Sequence, residues 1–210
     1  MRVNKELCYY KKVWNIENIP DVSSSITNEE KTNLVIFSDD DQWYYEFHKN
    51  NFEYVSKFQG INNEDSINSF IKSYNELPNY RKQIIIVLEQ VKFSDKITED
   101  YIHSLFAPVL KLSKFIISKK EKNVQWIIVN PCTFNSENPY YDALEGFFKT
   151  LITEHPDHQV MIINTQYRDK LQIVQNIKLE LSRNSDIFSH IAFHNNKRFV
   201  MKYKFENIKK

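Results

Sequence analysis

Ile84-Ile85-Ile86-Val87-Leu88 is an unbroken run of apolar, mostly β-branched residues, followed at once by the polar pair Glu89-Gln90. So short a run does not suit a core helix, and the lack of polar alternation predicts a strand covered on both faces. Runs of the same kind recur at Leu34-Val35-Ile36-Phe37, Trp126-Ile127-Ile128-Val129 and Val160-Met161-Ile162-Ile163. Between them the apolar residues fall at helical spacing. Ile67, Phe70, Ile71, Tyr74 and Leu77 form one such stripe, closed by Pro78. Leu105, Phe106, Val109, Leu112 and Ile116 form a second, in which Pro108 predicts a kink or a late helix start. Ala143, Leu144, Phe147, Phe148 and Leu151 form a third, and Leu171, Val174, Ile177 and Leu181 a fourth. A short helix around Trp43 to His48 and a strand from Phe52 to Phe58 complete the alternation.

The two ends differ from this pattern. Leu7-Cys8-Tyr9-Tyr10-Lys11-Lys12-Val13-Trp14 is aromatic and β-prone, and a polar connection follows it from Asn18 to Thr32. Ile187–His194 and Arg198–Phe205 read as two strands around Asn195-Asn196, because Asn tolerates the left-handed conformation of a tight turn. Strands alternating with helices predict an α/β fold. It is a truncated Rossmann-like, mostly parallel sheet with helices on both faces and a C-terminal antiparallel hairpin. Without a low-complexity linker or a repeat, residues 1–210 are expected to form one domain.

Composition excludes several function classes. Lys plus Arg number 28 against 27 Asp plus Glu, so net charge points to neither nucleic acid nor an anionic membrane. The N-terminal residues Met1-Arg2-Val3-Asn4-Lys5-Glu6 lack the apolar stretch of a signal peptide, and no run is long enough to span a bilayer. A cytoplasmic location is expected. Cys8 and Cys132 are too few and too far apart for a disulfide framework or a zinc site. Only Gly60 and Gly146 occur, where an average chain of this length would hold about fifteen glycines. Dinucleotide and phosphate loops need several glycines close together, so both fingerprints are missing.

The remaining candidates read as structural. Asp39-Asp40-Asp41 follows a predicted strand, where open α/β sheets place ligands, and could hold a divalent cation. A receiver-like acceptor Asp is missing after Ile84–Leu88, so a solvated turn and helix N-cap is the preferred reading. Glu154-His155-Pro156-Asp157-His158 concentrates ionisable groups in a turn at a helix end, and is read as structural. His48, His103, His190 and His194 show no ligand spacing; His190 and His194 would lie about 13 Å apart along one strand. Tyr140-Tyr141 and Lys149 do not have the spacing of a reductase Tyr/Lys pair, and no Ser or Cys occupies a Gly-flanked elbow. No catalytic, cofactor-binding or metal residue is expected.

Several segments taken in order resemble one family. Tyr9-Tyr10-Lys11-Lys12-Val13-Trp14 is similar to the opening strand of modular polyketide synthase ketoreductase domains. Leu34–Phe37, Ile84–Leu88 and Trp126–Val129 match that family's next core strands in position, with Asn130 where a Thr is usual. Gly146-Phe147-Phe148-Lys149-Thr150-Leu151-Ile152-Thr153-Glu154-His155-Pro156 resembles its Gly-Leu-x-(Arg/Lys)-(Thr/Ser)-Leu-x-x-Glu-His-Pro segment. Ile191–Val200 resembles its closing hairpin.

The resemblance covers about Leu7 to Tyr203, and it matches only the structural, non-catalytic half of such a reductase. It implies that the first strand, residues 7–14, pairs with the closing strand, residues 198–205. It implies no cofactor on this half. The implied partners are a catalytic NADPH-dependent half and neighbouring polyketide synthase domains, and the chain is expected to stop about where the NADPH loop would begin. Two rivals stand beside it: a free-standing α/β docking module, and a metal enzyme built on Asp39–Asp41.

Overall fold

In the computed structural model, residues 8–17, 31–50, 52, 54–88, 99–130, 139–165, 169–183, 186–195 and 197–207 are described. Strand β4 (Arg81–Val87) lies inside one eight-stranded sheet and is buried from its second residue onward, as an apolar run between two helix layers requires. Strands β2 (Thr32–Phe37), β3 (Tyr54–Phe58), β5 (Gln125–Asn130), β6 (Gln159–Asn164) and β7 (Phe188–His194) run parallel with it in the order β3-β2-β4-β5-β6-β7. This is the doubly wound order without the strand that would lie outside β3, hence a truncated Rossmann-like sheet. The order reverses between β2 and β4, the place where such sheets open a crevice at their carboxyl ends.

The pleat divides each buried strand between two cores. Val35, Phe37, Ile84, Ile86, Trp126 and Ile128 face helices α2 (Glu64–Ser73), α3 (Glu99–Ser118) and α4 (Pro139–Glu154). Leu34, Ile36, Ile85, Ile127, Met161 and Ile163 face α1 (Asp41–Lys49) and α5 (Lys170–Leu181). A single 3-10 turn, Tyr74–Glu76, ends the α2 segment ahead of Pro78.

Of the two outcomes expected at Pro108, helix α3 rules out the late start, because it runs through the proline. The proline removes one ladder donor at a cost of about 3 kcal/mol. Burial of Val109, Leu112 and Ile116 against the sheet offsets that cost.

Strands β1 (Cys8–Glu17) and β8 (Lys197–Asn207) add an antiparallel edge, order β1-β8-β7. Asn195 takes φ +49° at the β7–β8 turn, the left-handed geometry an Asn supplies there. Asn196 lies outside the described residues. The β7–β8 ladder runs only from Ile191↔Val200 to His194↔Lys197, whereas β1 pairs β8 from Cys8↔Asn207 to Glu17↔Arg198. From Met201 onward, among the described residues, β8 has only β1 as its ladder partner.

Candidate functional site

The crevice at the β2–β4 reversal is where this type of sheet would receive a pyrophosphate, against the first helix after β2. The chain fills that place with its own acids. Asp40 caps α1, its Oδ1 accepting from the Gln42 N–H at 2.9 Å, and its other oxygen pairs with Lys170 at the start of α5. The Lys170 hydrogen bond, together with the Gln42 amide, holds the Asp40 carboxyl below the usual carboxylate range against the opposing effect of burial. Asp39 Oδ1 accepts from the Gly60 N–H at 2.8 Å, and Asp41 pairs with Lys57. A Cβ on Gly60 would collide with the Asp39 carboxylate and lie 2.8 Å from Asn62 Oδ1, so the close backbone approach at Gly60 serves Asp39. A helix start occupied by carboxylates does not fit a dinucleotide's phosphates, which need open backbone N–H groups and positive potential.

A second polar centre lies on the α4 side of β1, β7 and β8. Glu145 of α4 is 2% exposed. Its Oε1 accepts from Lys149 Nζ and from the Tyr203 hydroxyl, each at 2.5 Å, and its Oε2 accepts from Lys12 Nζ at 3.1 Å. Lys12 also reaches Asp142 at 2.5 Å. His190 Nδ1 stands 3.3 Å from Glu145 Oε2, and its Nε2 is 3.1 Å from Asn164 Oδ1, which accepts from Asn130. Trp14 meets the His190 ring edge-on at 5.1 Å.

Burial alone would push the Glu145 carboxyl up. His190, Lys149 and Tyr203 outweigh it and hold the group well below the ordinary carboxylate range. Burial pushes His190 down, partly offset by Glu145, so the ring is neutral near pH 7 and has one N–H to share between two acceptors. Burial raises the Tyr203 hydroxyl, and donation to Glu145 raises it further. Tyr203 and Lys149 touch, as a reductase pair would, but a proton donor needs the opposite shift.

A third centre lies on the opposite face. Arg198 forks onto Glu180 of α5 through Nε–Oε1 at 2.7 Å and Nη2–Oε2 at 2.8 Å, and reaches Glu17 Oε2 at 2.5 Å. Arg183 joins Glu180 at 3.1 Å. Glu145 and Glu180 thus tie the β1–β8 edge to the two helix layers.

The other sequence candidates do not converge. His158 is buried, accepts from Trp126 Nε1 at 3.3 Å on Nδ1 and faces the Glu121 carbonyl at 3.3 Å with Nε2, so the Glu154–His158 turn is committed to packing. His103 is exposed on α3, and His48 lies beside Tyr44 on α1. Tyr140 and Tyr141 are buried at the start of α4, and Lys149 is bonded to Glu145 and Tyr203. Among the described residues no three His, Cys, Asp or Glu are placed to hold a metal, and no helix is long and apolar enough to cross a membrane. Cys132 and the Cys8 side chain lie outside the described residues.

Solved structures share this architecture. An N-terminal ketoreductase from the macrolactin assembly line superimposes with a TM-score of 0.65 at 15% identity, over 96% of this chain and 45% of that one. The chain shares the fold of part of that ketoreductase structure. A multidomain structure holding the adenylation, ketoreductase and pseudo-Asub parts of a keto acid-selecting NRPS module gives 0.67 at 13% identity, over 93% of this chain and 18% of that one. A Serratia marcescens short-chain dehydrogenase/reductase variant gives 0.57 at 8% identity, over 79% and 96%. The chain therefore spans less than half of either ketoreductase-containing structure. A family model described as "Beta-ketoacyl synthase-like, N-terminal" matches residues 95–180, a stretch that holds α3 to β6 and most of α5 but not the β1–β8 edge. No curated protein matches the chain.

Proposed function

We propose that this chain is the non-catalytic structural half of a polyketide synthase ketoreductase, and that it works in the cytoplasm beside the NADPH-dependent half. The carrying observation is the carboxylate-filled start of α1, with Asp40 on Lys170 and Asp39 on the Gly60 amide, at the place where a nucleotide-binding sheet keeps an open phosphate cradle. The low glycine count agrees with it. On this reading the chain binds no nucleotide and has no catalytic residue. Its role is to buttress a partner that reduces a carrier-bound β-keto group, within an assembly of neighbouring polyketide synthase domains.

The test mixes this chain with a separately produced catalytic half, then measures association and NADPH-dependent reduction of a β-ketoacyl thioester. Association with a gain in turnover is expected, together with no change in this chain's own melting temperature on adding NADPH. A stabilising shift by NADPH would overturn the non-binding half of the proposal. Absence of association would overturn the buttress role and leave the free-standing docking module in its place.

A further inference from the structure

Three buried polar side chains form a row on the α4 side of the sheet. Asn130 and Asn164 are cross-strand partners at the ends of β5 and β6, and His190 pairs with Ile162, two residues before Asn164. Their polar atoms meet in a chain that leads to Glu145. Asn130 Nδ2 and His190 Nε2 each stand 3.1 Å from Asn164 Oδ1, and His190 Nδ1 stands 3.3 Å from Glu145 Oε2. The outer amide atom of Asn130, its Oδ1, has no partner among the described residues.

An Asn amide keeps its outline when its oxygen and nitrogen exchange places, so its hydrogen bonds decide its orientation. His190 makes that decision here. On the neutral ring, a bare Nδ1 would set two acceptors against each other at the buried Glu145 carboxylate, so the single N–H belongs on Nδ1. Nε2 is then an acceptor. Asn164 must offer it Nδ2, and the same Nδ2 must meet an oxygen on Asn130. A second ring proton reverses each step. Nε2 becomes a donor, Asn164 turns Oδ1 to it, and Asn130 turns Nδ2 to that oxygen.

We propose that His190, Asn164 and Asn130 are a proton-sensitive relay with two hydrogen-bonding states, linking the Glu145 clamp to the carboxyl ends of β5 and β6. Sheets of this type bind ligands at those ends. There the outer atom of Asn130 is a donor in the neutral state and an acceptor in the protonated one. The charged groups that face His190 are Glu145 and Lys149 of α4 and Lys12 of β1, with Asp142 and Tyr203 of β8 bonded into the same cluster. Burial, with Lys12 and Lys149, pushes the ring down from 6.5 against the pull of Glu145, so the neutral state holds near pH 7 and the switch lies below 6.5.

The test is nuclear magnetic resonance of the full chain, labelled with 15N, between about pH 7.5 and about pH 5. At the upper end the His190 ring should show a protonated Nδ1 and a bare Nε2. On acidification the side-chain amide protons of Asn164 should move upfield as they lose their acceptors, and those of Asn130 downfield as they gain one, both with the midpoint of His190. In Asn164→Leu the ring should still titrate while the Asn130 amide no longer follows it. Four results would each overturn the proposal: a bare Nδ1 at the upper pH, amides that do not follow the ring, an Asn130 amide that still follows it in Asn164→Leu, or unfolding before His190 titrates.

Discussion

Replacing Glu180 by alanine should destabilise the protein far more than removing any exposed ion-pair partner. Glu180 and Arg198 have side-chain exposures of 2% and 9%, and the fork between them is bidentate. Glu180→Ala leaves the Arg198 guanidinium buried with only the half-exposed Glu17, and leaves Arg183 without its carboxylate as well. Breaking a buried pair by removing one partner costs about 3 to 5 kcal/mol, because the remaining charge is desolvated and uncompensated. For a chain of this size each kcal/mol lowers the melting temperature by about 2 to 4 °C, so a fall of roughly 6 to 20 °C is expected. Urea unfolding followed by circular dichroism measures it directly, with an unchanged m-value showing that the folded and unfolded surfaces are the same. The double variant Glu180→Leu/Arg198→Met removes both charges and should recover most of the loss. Two results would refute the reasoning: a cost for Glu180→Ala below about 1 kcal/mol, as for an exposed pair, or a double variant no better than the single.

The two glycines should respond to alanine with opposite signs. Gly60→Ala drives a Cβ into the Asp39 carboxylate and should cost about 1 to 2 kcal/mol. Gly146→Ala, in the exposed middle of α4 with nothing within 4 Å, should gain about 0.5 to 1 kcal/mol by the same unfolding assay. Asp40→Ala removes the α1 cap and the Lys170 contact, and should cost about 1 kcal/mol; Asp40→Asn, which can still cap, should cost less. Stability should also fall on mild acidification. His190 and His158 have folded pKa values lowered from 6.5, chiefly by burial, so the unfolded chain takes up protons first. Their contribution is present above pH 6.5 and is lost as pH falls, with a slope of up to about 1.4 kcal/mol per pH unit for each histidine. The depressed Glu145 carboxyl loses its contribution only below 4.5. Unfolding measured between about pH 7.5 and about pH 5.5 checks this, and His190→Asn should flatten the profile.

The parallel sheet was legible because strands such as Ile84–Leu88 and Trp126–Val129 are buried on both faces and leave no room for polar residues. The α1 cap was legible too, since an acid just ahead of a short amphipathic stretch has a local role. At Pro108 the sequence left a kinked helix and a late start open, and tertiary burial of Val109 and Leu112, which decides for the continuous helix, is not a local signal. Glu145 and Glu180 were missed for a different reason. Beyond the local pairs Glu145–Lys149 and Glu180–Arg183, each meets its partners through contacts between residues distant in the chain, such as Glu145 with Lys12 and His190. One signal was available. Glu145 lies on the same helical arc as Tyr141, Leu144 and Phe148, and Glu180 on that of Ile173 and Ile177. An acid on an apolar stripe must be paired once it is buried, and the positions to search were inward-facing His and Arg on the last strands.

These two carboxylates also decide how the edge of the sheet is registered. Side chains on β8 alternate, so Arg198 points to the α5 layer and Tyr203 to the α4 layer. A slip of β8 by one residue would exchange the faces: Arg198 would leave Glu180 and Tyr203 would leave Glu145. Both acids would then be buried with fewer partners, at several kcal/mol each. Alternative cross-strand pairs along β1 and β8 differ by only about 0.2 to 1 kcal/mol apiece, and the directly opposed Lys11 and Lys204 favour no register at all. Register at this edge is therefore set by charges held in the helix layers, not by the apolar pattern that sets it in β2, β4 and β5. Swapping the charges, with Glu180→Arg and Arg198→Glu together, should retain the register but lose part of the stability, because Glu17 and Arg183 then meet like charges. Glu180→Arg alone should release β8 from α5, which hydrogen exchange of the β7–β8 amides would report as lost protection.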